Sequence, residues 1–424
     1  MSAQSRQVRK RRVFHIPGYD PMPPRRYREL YRTEGAAQAD ISGYEIGVKA
    51  DRSDDTFRWT VGARIDGRSV LAQIDVLVWA DIVRDSMAQS IPATYWQLVQ
   101  TAWTYIGTGT LRRLMWMRKG PVIAALYPVM MLLGQLILAL VVGSLVGGWA
   151  QGLIMGALAL VGVTEGAFFD VVAWMAWAIG WLLLIGIVVV LLRWFKAQDN
   201  KLFAHYLMHD YAYSAKKRGE TPSELQARMT AFTAIIAEAL AMDGDEVLIV
   251  GHSSGVHLAV SIIADLIRGG HLRDDGPKLA FLSLGQVVPM VSFLPRARRL
   301  RSDLAFLSTR DDITWVDVSA PGDGCCFALC DPVAVTGVAP EGKRWPLVIS
   351  AAFTQSLSSA RWKELRWRFF RLHFQYLCAF DQPKDYDYFQ ITAGPILLAD
   401  RYAGRKPSGS RIHVPVSKYT SLLP

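Results

Sequence analysis

The sequence predicts an α/β fold with a mostly parallel sheet, interrupted by an apolar helical insertion. Short apolar runs that read as strands alternate with helix-like stretches, the pattern of strand–helix–strand units. Between Gly120 and Leu192 the only charged residues are Glu165 and Asp170. The composition agrees with both: of 424 residues, 51% are hydrophobic and 20% are charged, which excludes a disordered chain and is too apolar for a simple soluble domain. The four cysteines, Cys325, Cys326, Cys330 and Cys378, are too few for a disulfide scaffold. A net charge of +10 admits nucleic acid or an anionic membrane surface as partner; 14 Trp and 17 Phe favour the membrane.

Along the chain, Met1–Arg12 is basic and leads into a short strand, Val13–Ile16, that ends at Pro17-Gly18-Tyr19-Asp20-Pro21. The apolar run is too short for a secretory signal, so the bulk of the chain is expected in the cytoplasm. Strands are expected at 44–49, 56–65 and 72–79, with a polar turn at 51–55. Pro92–Lys119 reads as one helix, rich in Trp, Tyr and Leu, that would either lie on a membrane surface or pack as an ordinary helix.

The uncharged run 120–164 is too long for one membrane span and short for two, whereas 171–192 is one span of 22 residues. Gly147-Gly148 is expected to break the first run. That leaves a span at 122–146 and a short re-entrant or interfacial segment at 149–163. Arg112, Arg113, Arg118 and Lys119 precede the insertion and Arg193, Lys196 and Lys201 follow it, so both flanks are expected inside, with two spans in a cell membrane. The expected parts are 1–119, the hairpin 120–193, and 194–424.

In the last part, Thr221-Pro222-Ser223-Glu224 reads as a helix start, with Thr221 the cap, Pro222 the first helical residue and Glu224 closing a capping box. The helix would run to about Met242. Strands are expected at 246–250, 279–284 and 313–318. After the first of these comes Gly251-His252-Ser253-Ser254-Gly255, then an amphipathic helix over 256–268. Placed between strand and helix, G-x-S-x-G describes a sharp turn that lifts a serine hydroxyl out of the sheet, with glycines where side chains would collide. The Ser254 N–H would point toward a substrate oxyanion.

With this motif the chain resembles the α/β-hydrolase superfamily over roughly 13–118 and 197–400. The resemblance implies a mostly parallel sheet with helices on both faces and the chain order serine, acid, histidine. It makes Ser253 the nucleophile. It places the acid just past the strand 313–318, at Asp323, with Asp331 as the alternative; Asp also favours such turns for local reasons. The histidine would be His373, with His413 as the alternative, acting as base and then acid. The second oxyanion donor would be the N–H of Gly18 or Tyr19. The chain departs from the family in lacking strands before Val13 and in placing its insertion ahead of the serine.

No cofactor and no metal is implied. His205 and His209 stand four apart, but no glutamate lies between them as a zinc-protease helix requires. Cys325, Cys326 and Cys330 read as small buried apolar residues. The basic runs 296–301 and 361–371 suit anionic lipid headgroups better than nucleic acid in a chain with an apolar hairpin. The functional expectation is a membrane-anchored serine hydrolase acting on a lipid or acyl ester through an acyl-enzyme. The alternative is a catalytically inactive hydrolase fold serving as a membrane scaffold or partner-binding protein.

Overall fold

The computed structural model describes residues 7–51, 57–87 and 90–423. The chain opens with β1 (Lys10–Ile16), α1 (Arg25–Ser42), β2 (Glu45–Ala50), β3 (Phe57–Ile65), β4 (Arg68–Val76) and α2 (Ala80–Met87). A run of helices follows: α3 (Ile91–Gly107), α4 (Thr110–Met117), α5 (Lys119–Leu160), α6 (Ala167–Ala197), α7 (Asp199–Leu202) and α8 (Ala204–Ala215). Then come α9 (Ser223–Ala241), β5 (Glu246–His252), α10 (Gly255–Arg268), β6 (Lys278–Leu284), α11 (Val288–Ser292), α12 (Arg298–Ser308), β7 (Ile313–Ser319), α13 (Pro332–Thr336) and β8 (Leu347–Ser350). Short helices close the chain: α14 (Phe353–Ser356), α15 (Ser359–Leu365), α16 (Phe369–His373), α17 (Tyr388–Ala393) and α18 (Leu398–Arg401).

The eight strands form one mixed sheet in the order β2-β3-β4-β1-β5-β6-β7-β8. The pairs β2–β3 and β3–β4 are antiparallel and every other pair is parallel. Sequence pattern explains the division. β5 is buried at every position, as a strand covered on both faces must be, whereas β3 alternates, burying Trp59, Val61, Ala63 and Ile65. The turn expected at 51–55 lies mostly outside the described residues.

A buried ion pair ties the middle of the sheet to the C-terminal region. Arg11 and Glu246 face each other across β1 and β5, with Nε–Oε2 at 2.6 Å and both side chains buried. Arg11 also donates to the carbonyls of Gly394 and Ile396, and Glu246 accepts from the Leu398 N–H. Every charged group therefore has partners, the condition under which a buried pair is tolerated. Removing one partner would cost about 3–5 kcal/mol.

The chain divides into two compact units. One comprises 1–86, 102–124 and 214–424; the other comprises 87–101 and 125–213. The second therefore takes in parts of the flanking helices as well as the apolar run from 125 to 193. Within it, Val129 and Leu132 of α5 pack with Leu98 of α3 and with Ala204, Met208 and Ala212 of α8.

α5 is continuous for 42 residues, so the expected break at Gly147-Gly148 and the separate segment at 149–163 are not present. Gly147 is a packing position, as is Gly143, whereas a Cβ on Gly148 would meet no atom within 4 Å. A Cβ at Gly147 would lie 2.5 Å from the Gly180 carbonyl oxygen, and one at Gly143 would lie 3.0 Å from that of Leu184. Gly143 and Gly147 share one face of α5 at a four-residue spacing, the small-residue arrangement that lets helix backbones approach closely. α5 and α6 are long and apolar enough to cross a membrane, and only 22% and 17% of their most apolar stretches are buried. At 1.5 Å per residue α5 is about 63 Å long, about twice a hydrocarbon core.

Two other helices differ from expectation. Pro92–Lys119 is not one helix: Gly109 takes a left-handed φ of 71° between α3 and α4, and Arg118 is extended before α5. Thr221 is not a cap: Pro222 is extended (φ −60°, ψ 149°), so α9 starts at Ser223 without a side-chain cap bond.

Asp317 on β7 is fully buried, and burial pushes its carboxyl up to about 7 against the hydrogen bond it accepts from Ser283 Oγ at 2.5 Å. An acid whose folded-state value is raised contributes stability that is complete below its unfolded value. That contribution is lost as pH rises through the folded value. Resistance to thermal and urea unfolding should accordingly fall between about pH 4 and 7 by up to about 4 kcal/mol. Asp317→Asn should remove that slope and be the more stable form at pH 8. An unchanged slope in the variant would contradict this.

Candidate active site

The turn between β5 and α10 is built on missing side chains. A Cβ at Gly255 would lie 2.2 Å from the Ile16 carbonyl oxygen and 2.5 Å from that of Pro17. One at Gly251 would lie 2.9 Å from the Val256 Cα. Between them Ser253 adopts φ 56°, a left-handed conformation costly for a residue with a side chain, and its N–H donates to the Leu284 carbonyl at 2.9 Å. Such strain persists only where surrounding structure holds it. Here β1, β6 and α10 do so.

The loop after β1 lies against this serine, as the sequence leads one to expect. A Cβ at Gly18 would be 3.0 Å from the Ser253 Cβ. The Tyr19 N–H, however, donates to Ser254 Oγ at 2.7 Å. In this conformation Tyr19 is therefore engaged by a side chain and is not free as an oxyanion donor, which leaves the Gly18 and Ser254 backbone as candidates. Ser254 sits at the start of α10, where free N–H groups and the helix dipole favour negative charge.

Asp323 lies four residues beyond β7, in a turn closed by its N–H to the Ala320 carbonyl at 2.9 Å. Its Oδ1 accepts from the Cys325 N–H at 2.9 Å. Its Oδ2 accepts from His373 Nδ1 at 2.7 Å and from the Tyr376 hydroxyl at 3.0 Å. Burial alone would raise this carboxyl; the charge and hydrogen bond of His373, with the Cys325 N–H, outweigh it and hold Asp323 below its ordinary value. His373, in the last turn of α16, therefore has Nδ1 engaged and Nε2 left for other chemistry.

The His373 ring occupies a place made by Gly285 (φ 53°), where a Cβ would lie 3.1 Å from His373 Cε1 and 2.7 Å from Tyr376 Cε2. On its other side is His252, whose ring centroid is 4.7 Å away and whose Nε2–H donates to the His373 carbonyl at 3.0 Å. Burial and the neighbouring His373 push His252 well below its ordinary value, so it stays neutral and keeps that role. Ser253 is hydrogen-bonded to Leu284, next to Gly285, so the serine and His373 share this wall. No hydrogen bond joins Ser253 Oγ to His373 among the described residues.

Of the alternatives, neither joins this group. Asp331 caps α13, accepting from the N–H groups of Val333 and Ala334 at 3.1 Å, and pairs with Lys343 at 2.5 Å. Its turn chemistry is fully used. His413 is exposed near the C-terminus. Sequence reasoning missed His252, Tyr376 and Gly285. His252 was visible as the second residue of the motif, and Tyr376 follows His373 by three residues.

Asp323, Cys325 and His373 are the one group of three His, Cys, Asp or Glu side chains, among the described residues, whose ligand atoms lie within 4.8 Å of one another. The donor set fits a metal poorly. His373 Nδ1 and Asp323 Oδ2 are bonded to each other, and burial, with Asp323 beside them, pushes the Cys325 and Cys326 thiols well above their ordinary value. His205 and His209 are buried on α8, with His209 Nδ1 2.9 Å from Gln97 Oε1. Within the run 296–301, Arg301 is buried and donates to the carbonyls of Ser292, Leu294, Pro295 and Ser421, and Arg299 pairs with Asp265, whereas Arg296 and Arg298 are exposed.

Searches of protein-family models, curated proteins and solved structures find no match to this chain.

Tyr376 accepts from the Ala320 N–H at 3.0 Å while donating to Asp323, so it both fixes and tempers the carboxylate. In Tyr376→Phe the freed oxygen should draw the His373 Nδ1–H closer, and the low-field NMR resonance of that proton should move further downfield. The orphaned Ala320 N–H should cost about 1–3 kcal/mol of stability. A resonance that stays put or moves upfield would contradict the role given to Tyr376.

Proposed function

We propose that this chain is a membrane-anchored serine hydrolase of the α/β-hydrolase type, cleaving a lipid or acyl ester through an acyl-enzyme on Ser253. The observation that carries the reading is the left-handed Ser253 between Gly251 and Gly255, on a turn that shares the Gly285 wall with the hydrogen-bonded Asp323–His373 pair. The chain order serine, acid, histidine matches that of the family. So does a parallel array with the serine strand, β5, at its centre. The hairpin β2–β3, inserted after β1, occupies the sheet edge where the family's strands preceding the oxyanion strand would stand.

In this mechanism His373 Nε2 takes the Ser253 hydroxyl proton as the oxygen attacks the ester carbonyl, then returns it to the leaving alkoxide. Asp323 holds the ring with Nδ1 protonated and stabilises the imidazolium. The Ser254 and Gly18 N–H groups face the developing oxyanion. Water attacks the acyl-enzyme in the second half, with His373 again the base. Ser253 Oγ and His373 must close their hydrogen bond on substrate binding, since catalytic hydrogen bonds are often looser without ligand.

That open hydrogen bond, with the engaged Tyr19 N–H, is also what favours the competing reading of a catalytically silent membrane scaffold. Mutant kinetics on a series of nitrophenyl esters separate the two. Ser253→Ala should abolish hydrolysis, Asp323→Asn and His373→Ala should each lower kcat at least ~10³-fold, and His413→Ala should change nothing. Hydrolysis that survives Ser253→Ala would refute the nucleophile.

For the anchor, we infer that α5 and α6 cross a cell membrane as a hairpin with the catalytic unit cytoplasmic. Basic residues at both outer flanks and acids near the 161–166 turn support this orientation. Membrane-impermeant thiol labelling of intact cells should reach Val163→Cys and fail to reach cysteines added at either terminus. Labelling at a terminus, with the turn protected, would reverse the topology.

A further inference from the structure

The loop that carries Asp323 is where two exposed aromatic, basic segments meet. Gly120, at the start of α5, lies so close that a Cβ on it would be 3.3 Å from the Gly324 Cα, and Arg118 Nε donates to the Ala328 carbonyl at 2.8 Å. On the other side, a Cβ at Gly324 would be 3.4 Å from a ring carbon of Phe369. Phe369 begins α16, the helix that ends in His373. The segments 112–119 and 361–371 are thus joined through Gly324, beside the candidate acid and histidine.

Both segments present large apolar side chains to solvent. Trp116 is 65% exposed, Trp367 72%, Phe369 50% and Met115 44%. Isolated exposed apolar residues are ordinary; four on two segments that meet at Gly324 mark an interaction surface. Each tryptophan lies beneath a guanidinium, Arg112 over Trp116 at 5.3 Å and Arg366 over Trp367 at 5.6 Å. The two segments hold nine Lys and Arg residues against one acid, Glu364, and that acid is already shared by Arg361, Arg368 and Arg371.

We propose that this surface docks on an anionic lipid bilayer, setting the rim of the candidate active site into the headgroup layer. Tryptophan and arginine together suit that layer: the rings are favoured at the membrane–water interface and the cations are drawn to anionic lipid. The surface is also continuous in the chain with the apolar helix, since Trp116 lies three residues before α5 begins. A soluble acidic protein would match the charge, but it would not explain that continuity. The proposal deepens the reading above and rests on its membrane anchor. It gives the hydrolase a substrate presented from the lipid side and adds a peripheral contact distinct from the hairpin.

The full chain should be reconstituted into vesicles of phosphatidylcholine with phosphatidylglycerol, and tryptophan quenching by brominated acyl chains compared between wild type and Trp367→Phe. The variant should lose a quenched component. That component should disappear in purely zwitterionic vesicles and in Arg366→Gln/Arg368→Gln, while Trp367→Phe should keep its activity on a short water-soluble ester. Quenching needs no turnover, so this result is independent of whether Ser253 is a nucleophile. Protein that floats with the vesicles but shows the same quenching with and without Trp367 would overturn the surface, as would a component of equal size in zwitterionic lipid. Protein that fails to float would overturn the anchor, and the surface with it.

Discussion

The contact on which the site depends is the approach of Gly255 to the end of β1. A single Cβ at 255 would collide with the carbonyl oxygens of both Ile16 and Pro17. Without one, the first turn of α10 can sit directly on the loop leaving β1, and three consequences follow. Ser253 is forced into a left-handed conformation above the sheet. Gly18 is brought against the Ser253 Cβ. The start of α10 is presented on the same side as both. Glycine costs conformational entropy wherever it is ordered, so its use here marks a position where backbone must touch backbone.

Around that contact the structure solves the problem of burying charge, and solves it differently in different places. Arg11 and Glu246 neutralise each other and spend their remaining capacity on backbone groups of 394–398, fastening the C-terminal region to the sheet. Asp323 is held ionised by three donors. Asp317, two strand residues before the end of β7, has one hydroxyl donor and an Oδ2 with no partner, and its carboxyl rises accordingly. Two aspartates six residues apart thus shift in opposite directions because the second has amide, imidazole and phenol donors and the first does not. Such opposed environments are characteristic of sites where protons move.

The nucleophile turn was legible in the sequence because its requirements are local: glycines at fixed offsets, an apolar strand before, an amphipathic helix after. Asp323 and His373 were legible only through the chain order that a resemblance implied, and the alternatives were separable only in space. Asp331 occupies an equally good turn but spends its oxygens on α13 and Lys343. Gly285 gave no signal, since its role is to shape a ring's surroundings from a distant segment, and Tyr376 was marked only by its place three residues after His373. Gly147-Gly148 was misread for a related reason. A glycine pair signals a break by propensity, yet here Gly147 permits α5 and α6 to touch, and packing overrides propensity. Arg301 likewise looked like surface charge until its carbonyl partners from 292–295 and 421 were brought around it.

The central claim is that Ser253 is a nucleophile activated by His373 and Asp323. Its most direct measurement is reaction of the purified, folded full chain with a fluorophosphonate, followed by mass mapping of the modified peptide. The account predicts one stoichiometric adduct, on Ser253, formed much more slowly in His373→Ala and absent in Ser253→Ala. A folded protein that forms no adduct, or forms it on another residue, would contradict it.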